Sequence, residues 1–107
     1  MKSPRRGEVW LVDLGLAAKI RPALVVSVSP GDYDRALVAV VPHTTSLRGT
    51  EFEAAFAVPF LKAGAFDAQG IVTIPLAKLM HPIGTLKQEQ LAIVEISLLK
   101  GLGLRAP

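Results

Sequence analysis

The chain has 107 residues, of which half are hydrophobic, so it is long enough for one compact domain with one core, and a disordered class does not fit. It contains no cysteine, which excludes a disulfide framework, a thiolate nucleophile and any metal site that uses cysteine. A formal net charge of +3 favours a polyanionic partner such as nucleic acid, but only weakly, because many ordinary proteins carry so small an excess. We therefore predict a single domain over residues 1–107.

The amino-terminal stretch is charged and leads into a short apolar run that is broken at Asp13. Such a run is too short for the hydrophobic region of a secretion signal or for a membrane-spanning helix. We therefore expect a cytoplasmic protein with no membrane partner.

The first predicted strand covers residues 7–14, which are rich in β-branched and aromatic side chains and lie between glycines. Val9 and Leu11 share one face of this strand, whereas Trp10 and Val12 share the other, so both faces should be at least partly covered. A short connection follows, which favours antiparallel pairing with the next strand.

The second predicted strand covers residues 22–29 and is preceded by Arg21. Pro22 has a fixed φ and no N–H, so it can begin a strand but rarely lies within one, and it biases Arg21 toward an extended backbone. Arg21 is therefore predicted at the mouth of a buried strand, with its guanidinium directed outward. A solvated arginine beside a strand end is the commoner alternative for this residue type.

The middle of the chain predicts a polar rim and a basic loop between further strands. Residues 42–46 form a rim rich in hydroxyls, and residues 46–50 read as a mobile basic loop. Residues 59–64 begin with proline and end with glycine, which predicts a single helical turn. Pro75 indicates an edge or a bulge. The further strands themselves are predicted over residues 37–41, 51–58 and 70–76.

The chain closes with a predicted amphipathic helix after breaks at Pro82 and Gly84. Thr85 and Gln88 have the spacing of a capping box at its start. Apolar residues then recur at helical spacing, and the helix should end near residues 101–103. The side chains expected to pack on the sheet are Leu91, Val94 and Leu98.

Five short strands with brief connections and one late helix predict a mainly β domain with a C-terminal helix. The pattern is typical of a small barrel made from a strongly curved antiparallel sheet, rather than of a parallel α/β sheet. Closure of a barrel would also remove sheet edges that favour aggregation.

Three strings in this order resemble the MazF/PemK family of toxin endoribonucleases: GEVWLVDL at residues 7–14, RPALVVS at 21–27 and VPHTTS at 41–46. The likeness covers roughly the first half of the chain. It implies an SH3-like or plasmid-maintenance-toxin barrel, a homodimer, and inhibition by a cognate, MazE-like antitoxin. It also implies ribosome-independent, metal-independent cleavage of single-stranded RNA at a short sequence, with no cofactor.

The resemblance further implies that Arg21 and Thr44 are the catalytic residues. Cleavage without metal proceeds by attack of the ribose 2′ oxygen on phosphorus and needs a base, an acid and donors for the phosphoryl oxygens. Arg21 suits the last task best, because its guanidinium presents a planar fork of donors and rarely gives up a proton. Thr44 can donate to a phosphoryl oxygen or orient the 2′-hydroxyl, whereas a turn hydroxyl at a strand end is its ordinary structural role.

Four more residues are candidates for RNA binding: Lys19, Thr45, Arg48 and Lys78. The cations would contact the RNA backbone and give salt-dependent affinity, although each is more often a solvated surface charge. Lys78 falls where family members often have arginine, so it keeps the charge but loses the bidentate fork. The loop over residues 15–20 is shorter than the loop that usually screens the family's active site.

The two histidines are natural acids and bases near neutral pH, but neither is assigned a catalytic role. His43 adjoins Thr44, and in an extended strand the two side chains point to opposite faces, so His43 is interpreted as a barrel or interface residue. His81 lies between Met80 and Pro82, is interpreted as a turn residue, and has no partner at a metal-ligand spacing. No metal site is predicted.

Two other functions stay open at this point. A same-fold toxin can poison DNA gyrase, as CcdB-like proteins do, by binding through its closing helix, although the strings around Arg21 and Thr44 argue against this alternative. The shortened loop is compatible with a catalytically silent module that binds RNA or protein.

Overall fold

The computed structural model describes residues 3–15 and 19–105, which form an antiparallel sheet and one long helix. Single turns of 3-10 helix, Ala68–Gly70 and Leu76–Lys78, precede the last two strands. The elements are β1 (Glu8–Asp13), β2 (Ile20–Val25), β3 (Leu37–Thr44), β4 (Glu53–Ala55), β5 (Ala65–Asp67), β6 (Val72–Pro75), β7 (Leu79–Thr85) and α1 (Gln88–Leu102).

The strand order is β4-β5-β3-β2-β1-β7, with β6 paired to β3, and every pairing is antiparallel. Along one edge of β3, β6 pairs with the first half and β5 with the last two residues. The predicted mainly β fold with a C-terminal helix is confirmed. Within the described residues the two ends of the strand path, β4 and β7, do not pair with each other, so the sheet is open.

Two hydrophobic cores cover the two faces of the sheet. Val9, Leu24 and Val41 lie side by side across β1, β2 and β3, and pack with Val94 and Leu98 of α1. Because side chains alternate along a strand, their sequence neighbours face the other core. That second core contains Trp10, Val12, Ala23, Val25, Val38, Val40, Ile74 and Leu79. The prediction that both faces of the first strand are covered is confirmed.

Strand β2 begins at Ile20, so the prediction that the strand starts at Pro22 is wrong and Arg21 lies inside the strand, opposite Val12. β2 pairs with β3 only from Ala23 onward. Pro22 therefore lies where β2 has a neighbour on one side only, and an edge position tolerates the missing N–H. β2 also ends at Val25 rather than at residue 29.

Two strands were not predicted. β5 is only three residues long, Ala65–Asp67, and follows a segment in which a single backbone hydrogen bond, Leu61 N–H to Val58 oxygen at 3.0 Å, forms a turn in place of the predicted helical turn. β7 contains Pro82 and Gly84, because shifts in its register with β1 accommodate both residues. His81 consequently lies in a strand, and its assignment to a turn was wrong.

Helix α1 confirms the predicted closing helix, with a different start. The N–H of Lys87 donates to Gln90 Oε1 at 3.0 Å, and Thr85 is the last residue of β7, so the predicted capping box from Thr85 is wrong. At the other end Gly103 adopts a left-handed φ of 69°, as predicted for a glycine stop. No helix in residues 3–15 and 19–105 has the length and apolarity needed to cross a membrane.

Candidate functional site

Arg21 and Thr44 lie at neighbouring ends of two strands. The pairing of β2 with β3 ends at Ala23 with Pro42, and Arg21 and Thr44 each lie two residues beyond that last pair. Since side chains alternate along a strand, both residues belong to the face that carries Ala23 and Val40, opposite the face that packs on α1. The register and the alternation together bring the two predicted catalytic residues to one place.

A cavity of about 480 Å³ opens at these strand ends. Three cationic residues and three hydroxyl residues line it, and no described lining residue is a carboxylate, so the lining suits an anion. Apart from His43, the other lining residues are apolar. The complete lining is Lys19, Ile20, Arg21, Pro22, His43, Thr44, Thr45, Ser46, Phe60, Leu61, Lys62 and Ile83.

The hydroxyl of Thr44 has a fixed position. Its oxygen accepts a hydrogen bond from the N–H of Ser46 at 3.0 Å, the local turn that threonine favours at a strand end. Its own hydrogen has only a long contact, 3.5 Å, with the Ser46 carbonyl oxygen. The turn role that we gave as the ordinary alternative is therefore present, and it leaves the hydroxyl able to donate to a ligand in the cavity.

Lys19 lies on the cavity with a left-handed backbone, at a φ of 56°. Its carbonyl oxygen accepts from Leu14 N–H at 2.9 Å, which ties the start of β2 to the end of β1. The loop over residues 15–20, which the sequence predicts to be shortened, includes residues 16–18, and these lie outside the described residues.

The loop after Thr44 is held by the carboxylate of Glu53. The carboxylate accepts hydrogen bonds from the N–H groups of Arg48 at 3.0 Å, Gly49 at 2.7 Å and Thr50 at 3.4 Å. These donations, with that of Arg48 the largest, hold the pKa of Glu53 below its usual value, although burial acts in the opposite direction. The sequence had indicated a basic loop here, but not the residue that organises it.

Two of the predicted RNA-binding residues lie away from the cavity. Lys19 and Thr45 line it together with Arg21 and Thr44. Arg48 belongs to the loop held by Glu53, and Lys78 ends the 3-10 turn between β6 and β7; neither lines the cavity. Any contact of these two cations with RNA would extend beyond this site.

His43 is buried, with 6% of its surface exposed, and its ring is T-shaped to the ring of Phe66, with the two ring centroids 5.0 Å apart. Burial lowers the pKa of His43 below its usual value, because it disfavours the charged imidazolium. His43 was interpreted as a barrel or interface residue; it packs in the interior near the end of β3, and it also lines the cavity.

A further part of the lining comes from the turn over residues 59–64, which we call the 59–64 segment. Phe60, Leu61 and Lys62 from this segment line the cavity. These residues were not predicted as site candidates, because a phenylalanine, a leucine and a lysine in a short turn carry no local signal of a site.

Glycines let the 59–64 segment lie this close. A Cβ atom on Gly64 would stand 2.2 Å from the carbonyl oxygen of Thr44, and one on Gly84 of β7 would stand 2.4 Å from the ring of Phe60. A Cβ atom at Gly64 would therefore push the segment away from the strand end, whereas one at Gly84 would displace the Phe60 ring.

Across residues 3–15 and 19–105, no three His, Cys, Asp or Glu side chains come together in a group that could hold a metal ion.

The chain is similar to a known family over nearly its whole length. A family model described as PemK-like, MazF-like toxin of type II toxin-antitoxin system matches residues 5–102.

Solved structures share the fold. An endoribonuclease from a mycobacterial species, in complex with its cognate antitoxin, is 28% identical with a TM-score of 0.83, over 98% of this chain and 100% of that one. A second mycobacterial endoribonuclease is 27% identical with a TM-score of 0.82, over 100% of this chain and 98% of that one. A MazE–MazF structure from Deinococcus radiodurans, at 20% identity and a TM-score of 0.80 over 98% and 100% of the two chains, supports the fold alone.

Proposed function

The chain belongs to the family of PemK-like, MazF-like toxins of type II toxin–antitoxin systems, and on that premise we propose that it is an endoribonuclease, the toxin of such a pair. It cleaves single-stranded RNA at a short sequence, in the cytoplasm and independently of the ribosome. The observation that supports this function most is the shared cavity of Arg21 and Thr44, which has three cationic residues and no carboxylate in its described lining.

The proposed cleavage uses no metal. The ribose 2′ oxygen forms a bond to phosphorus while the bond to the 5′ oxygen breaks; the 2′ oxygen loses its proton to water and the 5′ oxygen gains one from water. The products are a 2′,3′-cyclic phosphate and a 5′-hydroxyl end. The role of Arg21 is to donate to the phosphoryl oxygens, whose charge increases in the transition state.

Thr44 adds a second, neutral donor. Its oxygen accepts from the N–H of Ser46 and its hydrogen has only the long contact with the Ser46 carbonyl oxygen, so the hydroxyl can donate to a phosphoryl oxygen or to the 2′-hydroxyl. Threonine has no adjacent base in this arrangement that would make it a nucleophile, since His43 packs on Phe66 in the core.

The partners follow from the family and from its relatives. A mycobacterial relative was solved with its cognate antitoxin, and we extend that interaction to this chain as inhibition by a cognate, MazE-like antitoxin. We likewise expect the active protein to be a homodimer.

The test is cleavage of a long RNA in EDTA, with both new ends mapped. We expect discrete cuts with 2′,3′-cyclic phosphate and 5′-hydroxyl ends. Arg21→Ala and Thr44→Ala should each slow cutting by about 100- to 1,000-fold, the usual cost of losing one donor to a developing charge.

Two matched variants sharpen this test. Thr44→Ser retains the hydroxyl and should keep most activity, whereas Arg21→Lys retains charge without the planar fork and should lose much of it. Thermal melting of each variant shows that the fold is intact. Cutting that persists in both alanine variants contradicts the site assignment, and RNA binding without any cutting by the wild type would indicate the catalytically silent module.

A further inference from the structure

The 59–64 segment has two features that the proposed cleavage chemistry does not use. Phe60 and Lys62 line the same cavity as Arg21 and Thr44. The segment has no sheet pairing of its own, yet it lies against the strand ends where Gly64 and Gly84 have no side chains. A segment fixed this closely can present its side chains at a constant distance from the phosphate site.

Lys62 has no structural partner in the described part of the chain. Its side chain is exposed and makes neither an ion pair nor a hydrogen bond with the described residues, so it does not serve to hold the segment. An exposed lysine on a cavity that two further cationic residues line adds to the positive charge of that cavity. Its position beside the phosphate site therefore suits a second phosphate.

Phe60 lines the cavity, and 38% of its surface is exposed. Two other rings are unsuitable for stacking: Trp10 is 7% exposed in the second core, with its indole N–H donating to Glu8 at 3.1 Å, and Phe66 is 1% exposed. The Phe60 ring lies against Gly84, where a Cβ atom would stand 2.4 Å from it. A partly exposed ring is a stacking surface for a base.

We propose that the 59–64 segment is a second RNA-contact element, in which Lys62 binds a phosphate next to the cleaved one and Phe60 stacks on a base. The inference rests on the proposed endoribonuclease function and adds the residues that position and select the RNA. Arg21 and Thr44 then act on the cleaved phosphate, while the 59–64 segment determines which nucleotide lies there.

The first experiment asks which phosphate Lys62 binds. The probe is a short RNA that contains the mapped cleavage site, with hydrogen in place of the attacking 2′-hydroxyl so that it is bound but not cut. In a series of such RNAs, one phosphate at a time is replaced by a neutral methylphosphonate. We expect Lys62→Gln to weaken binding about tenfold and to reduce the salt slope of log K by about 0.7, the value for one single-strand phosphate. At one position the methylphosphonate should weaken RNA binding by the wild type and have no effect on RNA binding by Lys62→Gln.

The second experiment pairs Phe60 with individual bases. Phe60→Leu keeps an apolar side chain but removes the ring, and should weaken binding of the same RNA about tenfold. Replacing one base at a time with an abasic site should reveal one position at which removal of the base weakens RNA binding by the wild type but not by Phe60→Leu. We expect Phe60→Leu also to change which base is preferred at that position.

Lys100→Gln is the matched control for charge, because Lys100 is exposed on α1 and does not line the cavity. It should leave both the affinity at fixed salt and the salt slope nearly unchanged. If every methylphosphonate and abasic effect is the same in the variants as in the wild type, the RNA role of the segment is overturned. If the wild type fails to cut the parent RNA at all, the proposed function fails instead, and the two failures are distinguishable.

Discussion

The residues that line the cavity come from two kinds of structure, strands of the sheet and the 59–64 segment, and these are held in place differently. Arg21 and Thr44 lie on strands, where Arg21 is opposite Val12 and Thr44 is opposite Ala65. Phe60 and Lys62 lie on a segment outside the sheet, whose position depends on close contact at two glycines. A sheet sets the position of its backbone through hydrogen bonds that most side-chain changes leave intact, whereas the 59–64 segment depends on the absence of two Cβ atoms.

This difference predicts that, among the glycines considered, adding one methyl group at Gly64 lowers the free energy of unfolding most. In Gly64→Ala the new Cβ would meet the Thr44 carbonyl oxygen at 2.2 Å, and a backbone atom cannot move aside as a side chain can. We expect a loss of about 3 kcal/mol in the free energy of unfolding, at the upper end of the cost of overpacking. Urea denaturation measures it.

Gly101→Ala is the control for this prediction. The same substitution near the end of α1 meets only Phe52 at 3.6 Å, an ordinary contact, and alanine is the better helix former. It should raise the free energy of unfolding by about 0.5 kcal/mol. Equal effects at Gly64 and Gly101 would contradict the close contact at the strand end.

A smaller effect is expected at Gly84, because its neighbour is a side chain. In Gly84→Ala the Phe60 ring has to leave the strand, at a cost of about 1 kcal/mol, and its contribution to RNA binding should disappear with it. In a Phe60→Ala background the same substitution should cost almost nothing, so the two changes are strongly non-additive. A double-mutant cycle by urea denaturation checks this; additive costs would mean that the ring does not rest on Gly84.

The smallest effect concerns the loop after Thr44. Hydrogen bonds from Arg48, Gly49 and Thr50 lower the pKa of Glu53. The stabilisation that these hydrogen bonds give to the folded state is therefore fully present above the usual glutamate pKa, and it is lost as the pH falls through the lower, folded-state pKa. The amide NMR shifts of Arg48 and Gly49 should titrate in that acid range. In Glu53→Gln they should not, and a titration that persists there would assign the shifts to another group.

Sequence reasoning was most successful where a local pattern was enough. The alternation of side chains along β1 correctly assigned Val9 and Trp10 to opposite faces of the sheet. Helical spacing correctly identified residues of α1 that pack on the sheet. It failed at Pro22, Pro82 and Gly84, because residues that usually break strands were tolerated at an edge and at shifts in register. β5 was missed because three residues are too few to show a period.

For the site, the sequence by itself predicted Arg21 and Thr44 through short strings that resemble a family, and it included Lys19 and Thr45, which line the same cavity. Only the tertiary structure showed that the 59–64 segment contributes to the lining of this cavity and that Glu53 holds the following loop. The reason is physical: a strand or helix is recorded in the periodicity of its own residues, whereas a cavity depends on contacts between distant residues. The approach of Gly64 to Thr44 leaves no such pattern in the sequence.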